Sequence, residues 1–547
     1  MNLVKMQNVF AAIRQARLLR SLAFLVAMSV ASISTAVQAA SPDAPASVPK
    51  SLFVPSTAAA ARDAAVATER QIVRSQTVAI KLPLLTGPID GTAGDSRSHP
   101  PILLNLFDDV SFVAEPTQVS HTAKGVTWLG KLRGVDLSSV VIVVSGDVVS
   151  GNISSPQGRY HIRYVGNGLH EVQKIDQSKF PEDETHVPVP EPGAGGDAYQ
   201  RDPSAASDDG TTIDVMVIYS ATTRAAAGGT SAIESQINLA IAETNQAYLN
   251  SGVTQRVRLV HAAEAAYTEA VSNPLLAALN CITSTSDGCL DNVHALRNTY
   301  GADLVSFWIE GDHSSCGVAW LMTSVSTAFS GNGFSAVERS CATGYYSFGH
   351  ELGHNMGLNH DTYVAAGTLP YAYAHGYTNA AAASPWRTIM AYNDACTAVG
   401  KNCTRIQYFS NPGILFGGAA MGTVASSDNH LALNNTAFAV ANFRASIAST
   451  CTYALGASGV SFGMAATTGS VSVTVATGCG WTAVSNAGWI TVTSGATGSG
   501  NGSVGFSVAA NYSGVARSGT ITIGGLTYTV NQSASKGLTP TYYLLLN

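Results

Sequence analysis

Apolar and polar positions change rhythm several times along the chain. Residues 126–132 and 139–145 are short runs rich in Val, Ile, Leu and Trp with turn signals between them, and residues 159–164 continue the pattern. They predict a small β-rich unit. Residues 40–80, rich in Ala, Pro, Ser and Val, read as a loose start. Residues 181–211 break the pattern, with Pro181, Pro188, Pro190, Pro192 and Pro203 set among glycines and acids. Such a stretch buries too little apolar surface to order itself, so it reads as an exposed linker and a natural place for proteolysis. An α/β rhythm follows. Residues 212–219 predict a strand. Residues 231–250 predict a helix, with Ile233, Ile237, Ile241 and Tyr248 on one face and Ser231 and Glu234 at capping-box spacing. Strands at 257–261 and 302–309 flank a helix at 290–300, which together imply a mostly parallel sheet with helices packed on it. After residue 449, Gly, Ser, Thr and Val dominate, and short strands at 470–475, 489–493, 502–508, 518–523 and 526–530 predict an all-β sandwich.

The chain of 547 residues is too long for one core, and about three units are expected. Charged residues make up only 12% and the net charge is −6, so there is no basic surplus for phosphates. Nucleic acid is therefore excluded as the main partner. Arg14, Arg17 and Arg20 precede an apolar run at 22–30 and small residues ending at Ala39. That is the order of an export signal, removed near Ala39, which implies a secreted protein. No later stretch is long and apolar enough to span a membrane. All eight cysteines lie from Cys281 onward, an even number that suits disulfides in an exported chain. Sequence closeness favours Cys281–Cys289 and Cys396–Cys403, leaving Cys316–Cys341 and Cys451–Cys479, although connectivity is not fixed by sequence.

The chemistry concentrates in residues 350–361. His350 and His354 are four apart, so on a helix both imidazoles reach one metal. Gly357 can take positive φ and end the helix, and the chain can then bring in His360 as a third ligand. Three neutral histidines with one position left for water is the catalytic form of zinc, whereas a structural site is closed by a fourth protein ligand. Glu351, beside the first ligand, is placed to take the water's proton. His313, His375 and His430 lack partners at ligand spacing and read as surface or hydrogen-bonded histidines.

This run resembles the extended zinc motif of the metzincin metallopeptidases, and Asp361 after the third histidine is similar to the reprolysin branch. The resemblance implies one catalytic Zn2+ on His350, His354 and His360, with Glu351 as general base. Calcium is compatible with it but not readable. Met390, within Thr388-Ile-Met-Ala-Tyr392, resembles the Met-turn beneath the metal, a role that is itself core packing. Tyr392 stands where the astacin-like and serralysin-like branches carry a tyrosine that steadies the oxyanion, and the reprolysin branch generally lacks it. Residues 316–320 resemble the edge strand of the substrate cleft, with Gly317, Val318 and Ala319 along it, to which a peptide can add as an extra strand. Residues 408–412 resemble the segment that shapes the primed-side pocket.

The whole implies a signal peptide at 1–39, then a β-rich propeptide at 40–205 ending in the acidic linker. An α/β metzincin catalytic domain at 210–448 follows, with a mixed sheet and active-site helix. An all-β Ig-like sandwich at 451–533 and a tail at 534–547 complete the chain. No cysteine precedes 281, so a cysteine cannot hold latency. An acidic ligand, simple occlusion and a folding-helper role remain alternatives. The sandwich resembles the BACON family through residues 479–481 and 489–492, Asn511, residues 517–523 and Gln532. That family implies glycan or mucin as a partner, with Trp481 and Trp489 either stacking on sugar or buried. The expected function is a secreted zinc endopeptidase acting on extracellular proteins. The competing readings are a carbohydrate- or mucin-binding surface protein with an accessory peptidase domain, and a zinc hydrolase of non-peptide amides or esters.

Overall fold

The computed structural model describes residues 48–56, 69–86, 99–122, 125–184, 187–188, 208–311, 314–365, 369–447, 452–475, 480–499 and 501–534. The chain divides into two compact units, Met1–Val48 and Pro49–Asn547, and every described strand and helix lies in the second. The export signal, His313, the pairing Cys451–Cys479 and the tail from 535 lie outside the described residues.

The N-terminal region is a ten-stranded sheet. From Val110–Thr122 to Leu169–Ile175 each strand pairs antiparallel with the next. Trp128, Leu104, Ile142, Val149 and Ile162 fill its core. The loose start expected at 40–80 is corrected in its described residues, because Ile72–Ile80 lies between Leu169–Ile175 and Phe53–Pro55, antiparallel to both. Of its nine residues only Val78 is fully buried, so its period-2 signal is faint and its two neighbours hold it in place. The opposite face of the meander presents Val141 and Val143 to Leu239 of the helix Thr230–Ser251. Polar pairs flank this contact: Asn152 Nδ2 donates to Glu243 Oε1 at 2.8 Å and Arg163 Nη2 to Thr343 Oγ1 at 2.7 Å.

The middle region carries a six-stranded sheet. Its order is Val187–Pro188, Gly317–Leu321, Phe334–Glu338, Leu304–Ile309, Thr212–Ser220, Arg256–Ala265. Pairing is parallel except where Gly317–Leu321 runs antiparallel to Phe334–Glu338. The helix Thr230–Ser251 buries Ile233, Ile237, Ala240 and Tyr248 against this sheet. The expected capping box is not formed. The helix starts one residue early, with Gly229 as its cap and no side-chain cap bond, which places Ser231 inside the first turn. The helix expected from Leu290 starts at Asn292, because Leu290 is left-handed with φ +59°. The helix Pro274–Thr283 was not expected, and it is tied down by Cys281–Cys289. Cys396–Cys403 also pairs as favoured, and Cys316–Cys341 forms from the cysteines left over.

The C-terminal region is all-β. A four-stranded and a five-stranded sheet enclose a core of Val471, Val504, Phe506, Ile521 and Val530. Among the described residues no helix is long and apolar enough to cross a membrane.

Candidate metal centre and its acidic cover

The helix Ser347–Asn355 is buried throughout. His350 and His354 lie one turn apart on it. Gly357 follows at φ +85°, and a Cβ there would stand 2.7 Å from Pro370 Cγ, so both the turn and the close approach call for glycine. Leu358 N–H donates to Gly353 O at 2.9 Å and closes the helix end. The chain then delivers His360, whose carbonyl oxygen is 2.7 Å from His375 Nδ1. His375 therefore supports the third histidine through its backbone, and His430 pairs with Asp428 at 2.6 Å, so both are hydrogen-bonded as expected.

The Nε2 atoms of His350, His354 and His360 lie 3.0–3.2 Å from one another. Ligands on a tetrahedral zinc ion at its usual bond length stand about 3.3 Å apart, so the spacing fits. The opposite nitrogens face carbonyls: His350 Nδ1 that of Ile389 and His354 Nδ1 that of Leu358, each at 2.9 Å. As donors, these Nδ1–H groups leave Nε2 with its lone pair toward the point on which the three rings converge. Met390 is fully buried beneath. A Cβ on Gly353 would stand 2.7 Å from its sulfur, so the helix can rest on the methionine only through a glycine.

Glu351 is fully buried, and neither carboxylate oxygen has a hydrogen-bond partner. Burial, reinforced by nearby Asp183, pushes its carboxyl well above the usual range. The edge strand passes so close that a Cβ on Gly317 would stand 2.5 Å from Glu351 Oε1. Val318 and Ala319 are fully buried and pair with Ala336 and Ser335, so they meet the cleft through their backbone. Tyr392 lies against His360 with ring centroids 3.9 Å apart and planes tilted by 30°, and its N–H donates to Asp361 Oδ2 at 2.9 Å. Asp361 thus ties the third-histidine loop to the Met-turn. Tyr408 O accepts from Ile389 N–H at 2.8 Å, joining the following segment to the same turn.

The linker expectation is corrected at its start. Residues 181–184 are not exposed; they lie along the edge strand. Cys316 N–H donates to Glu182 O at 3.1 Å and Glu184 N–H to Gly317 O at 2.8 Å. Val187–Pro188 continues the pairing, parallel to Trp320 and Leu321. The added strand foreseen on this edge is therefore supplied by the chain itself. Tyr392 Oη donates to Asp183 O at 2.5 Å and to Glu184 O at 2.9 Å. Asp183 is 4% exposed and its Oδ2 lies 2.9 Å from Arg405 Nη1. Glu182 meets Arg387 Nη2 at 2.9 Å and Arg405 Nη2 at 3.2 Å. Glu182, Asp183, Arg387 and Arg405 were all missed in the sequence. The available signal was their position: Arg387 directly precedes the Met-turn segment, and Arg405 stands three residues before residues 408–412.

Fold and site together define a metallopeptidase. Residues 209–410 match metallo-peptidase family M12 and residues 454–538 match the viral BACON domain. A peptidyl-Asp metalloendopeptidase of Stenotrophomonas maltophilia is 38% identical over 311 residues, covering 56% of this chain and 71% of the relative. One from Xanthomonas campestris is 36% identical over 317 residues, 57% of this chain and 72% of the relative. The solved structure of metalloproteinase-II from Bacteroides fragilis gives a TM-score of 0.31 at 11% identity, over 48% of this chain and 81% of that one. The chain belongs to metallo-peptidase family M12 and is a metalloendopeptidase.

Proposed function

We propose that this protein is the secreted zymogen of a zinc endopeptidase that cuts extracellular proteins beside aspartate. The convergence of three histidine Nε2 atoms next to a buried carboxylate without a hydrogen-bond partner carries the reading. His350, His354 and His360 would hold the ion, which when bound supplies Lewis acidity toward a water and a peptide carbonyl. Glu351 takes the water's proton and returns it to the leaving amine. Tyr392 Oη, once released from the Asp183 and Glu184 carbonyls, donates to the carbonyl oxygen as charge develops on it. Gly317 and its neighbours bind the substrate backbone along the strand edge. The aspartate preference is suggested by the activity for which the relatives are named and by the acids that already occupy the cleft.

Residues 40–205 act as a propeptide in this reading. The edge, Tyr392 and the space beside Glu351 are all taken by residues 182–184, so a substrate enters only after they leave. The C-terminal region is read as an Ig-like sandwich that holds glycan or mucin. Trp481 is excluded from such a role, being buried against Gly498 and Gly502, whereas Trp489 is half-buried with Arg517 4.2 Å above its ring.

The test is casein hydrolysis by enzyme matured from the full chain, with a chelator, with zinc restored, and with Glu351→Gln. Chelation is expected to abolish cleavage, zinc to restore it, and the variant to keep zinc while losing roughly 10²–10⁴-fold in rate. Full activity in Glu351→Gln would sink the mechanism.

A further inference from the structure

The two arginines of the cleft differ in what remains to them without the acidic cover. Arg387 is held by the catalytic domain itself: Nε donates to Cys403 O at 3.2 Å, Nη1 to Ala391 O at 2.5 Å and Nη2 to Tyr345 Oη at 2.8 Å. Arg405 has one such bond, Nη1 to Tyr345 O at 3.2 Å, and lies over the Tyr345 ring at 4.2 Å. Its ion pairs among the described residues are to Asp183 and Glu182, both in the segment that must leave. Its side chain is 0% exposed. Removal of the cover takes away both of its ion pairs and leaves a guanidinium beside Glu351 that favours whatever anion enters next.

The position of Asp183 shows where that anion goes. Its carboxylate lies 3.6 Å from His350 Nδ1, the nitrogen that faces the Ile389 carbonyl. It approaches His350 and Glu351 together, whereas the other two imidazoles approach His350 from the Nε2 side. Asp183 therefore fills a side-chain pocket next to the reacting position. We propose that Arg405 is the specificity-determining residue of the peptidase, and that its pocket receives the substrate aspartate in the place Asp183 now holds. Arg387 meets Glu182 rather than Asp183, and it positions the pocket wall through Tyr345 Oη. The propeptide is then a pseudo-substrate in side-chain chemistry, carrying into the pocket the group the enzyme later selects.

The proposal rests on the peptidase reading, and the experiment separates the two. Enzyme matured from the full chain is given peptide pairs that differ only in Asp, Glu or Asn at one position, and kcat/KM ratios are compared for wild type, Arg405→Gln and Arg405→Lys. Wild type is expected to prefer Asp over Asn by roughly 10- to 100-fold, the usual scale for a buried charged hydrogen bond. Arg405→Gln should reduce that ratio to about three-fold or less, and Arg405→Lys should restore part of it. A folded Arg405→Gln that keeps the wild-type ratio overturns the proposal, as does a wild type that cuts casein without preferring Asp. A wild type that cuts neither casein nor any peptide sinks the peptidase reading instead. Should the variants not fold, wild-type inhibition by a peptide of residues 180–188 decides. Its Asp183→Asn form should inhibit at least roughly 10-fold more weakly, and equal inhibition overturns the proposal.

Discussion

The floor and the cover of this cleft are built from opposite materials. The floor is local and apolar. The helix Ser347–Asn355, the turn at Gly357 and buried Met390 set three histidines in place, and backbone carbonyls satisfy the far nitrogens of His350 and His354. The cover is distant and charged. Residues 182–184 come from more than 160 positions upstream of the metal helix, and they are held by Arg387, Arg405 and a few strand-edge bonds. Apolar packing does not depend on chain continuity nearby, whereas a short charged strap stays only while the domain behind it anchors it. In the proposed reading the permanent part is thus packed and the removable part is paired.

The largest effect should come from breaking each part at its centre. His354→Ala removes one of the three proposed metal ligands, and zinc content and casein hydrolysis should fall together to background. Asp183→Asn with Glu182→Gln leaves the three histidines untouched. It should preserve metal content and raise the activity of the uncut chain, on the order of 10-fold, because the cover loses its ion pairs with Arg405 and Arg387. Uncut chain that stays as inactive as wild type would show that occlusion by the backbone alone keeps the cleft closed.

The same division decided what could be read from the amino-acid order. His350, Glu351, His354, Gly357 and His360 sit within eleven positions, so helical periodicity and one glycine turn place them without knowledge of the rest of the fold. Met390 and Tyr392 needed the family resemblance as well, because nothing local links them to the helix. Asp183 and Arg405 are separated by 222 positions, and composition pointed the wrong way: prolines and acids read as a solvated linker. Its Glu182 and Asp183 nevertheless pair with the cations that Arg387 and Arg405 supply. The N-terminal sheet was half legible for a related reason. Strands with a buried face, such as Ser139–Ser145, announce themselves, whereas Ile72–Ile80 is mostly half-buried and is defined by its neighbours.

A middling effect should follow from crowding the floor. Gly353→Ala places a methyl group 2.7 Å from Met390 sulfur and 3.3 Å from Leu358 Cδ1, both fully buried side chains, so one of them must shift. The melting temperature should drop by an amount equivalent to about 1–3 kcal/mol, the usual cost of overpacking. Met390→Ala in the same chain should recover part of the loss, which a generic helix defect would not show.

The effect that touches the metal floor least concerns the domain that anchors the cover. His170 is buried, its Nε2 accepts from Val149 N–H at 2.9 Å, and burial lowers it to about 4. Protonation would bury a charge and break that bond. A histidine lowered in the folded state stabilises above its ordinary value of 6.5, and that stabilisation is lost as pH falls from 6.5 toward about 4. The loss is roughly 1 kcal/mol per pH unit across that window. The N-terminal domain of the full chain should therefore melt progressively earlier between pH 6.5 and 4, and His170→Gln, which keeps an acceptor but cannot be protonated, should flatten the trend. Acid would then loosen the anchor, and uncut chain held near pH 5 should be cut by an added protease faster than chain held at neutral pH. Equal rates at the two pH values, once corrected for the protease's own pH dependence, would place the release step elsewhere than in this domain.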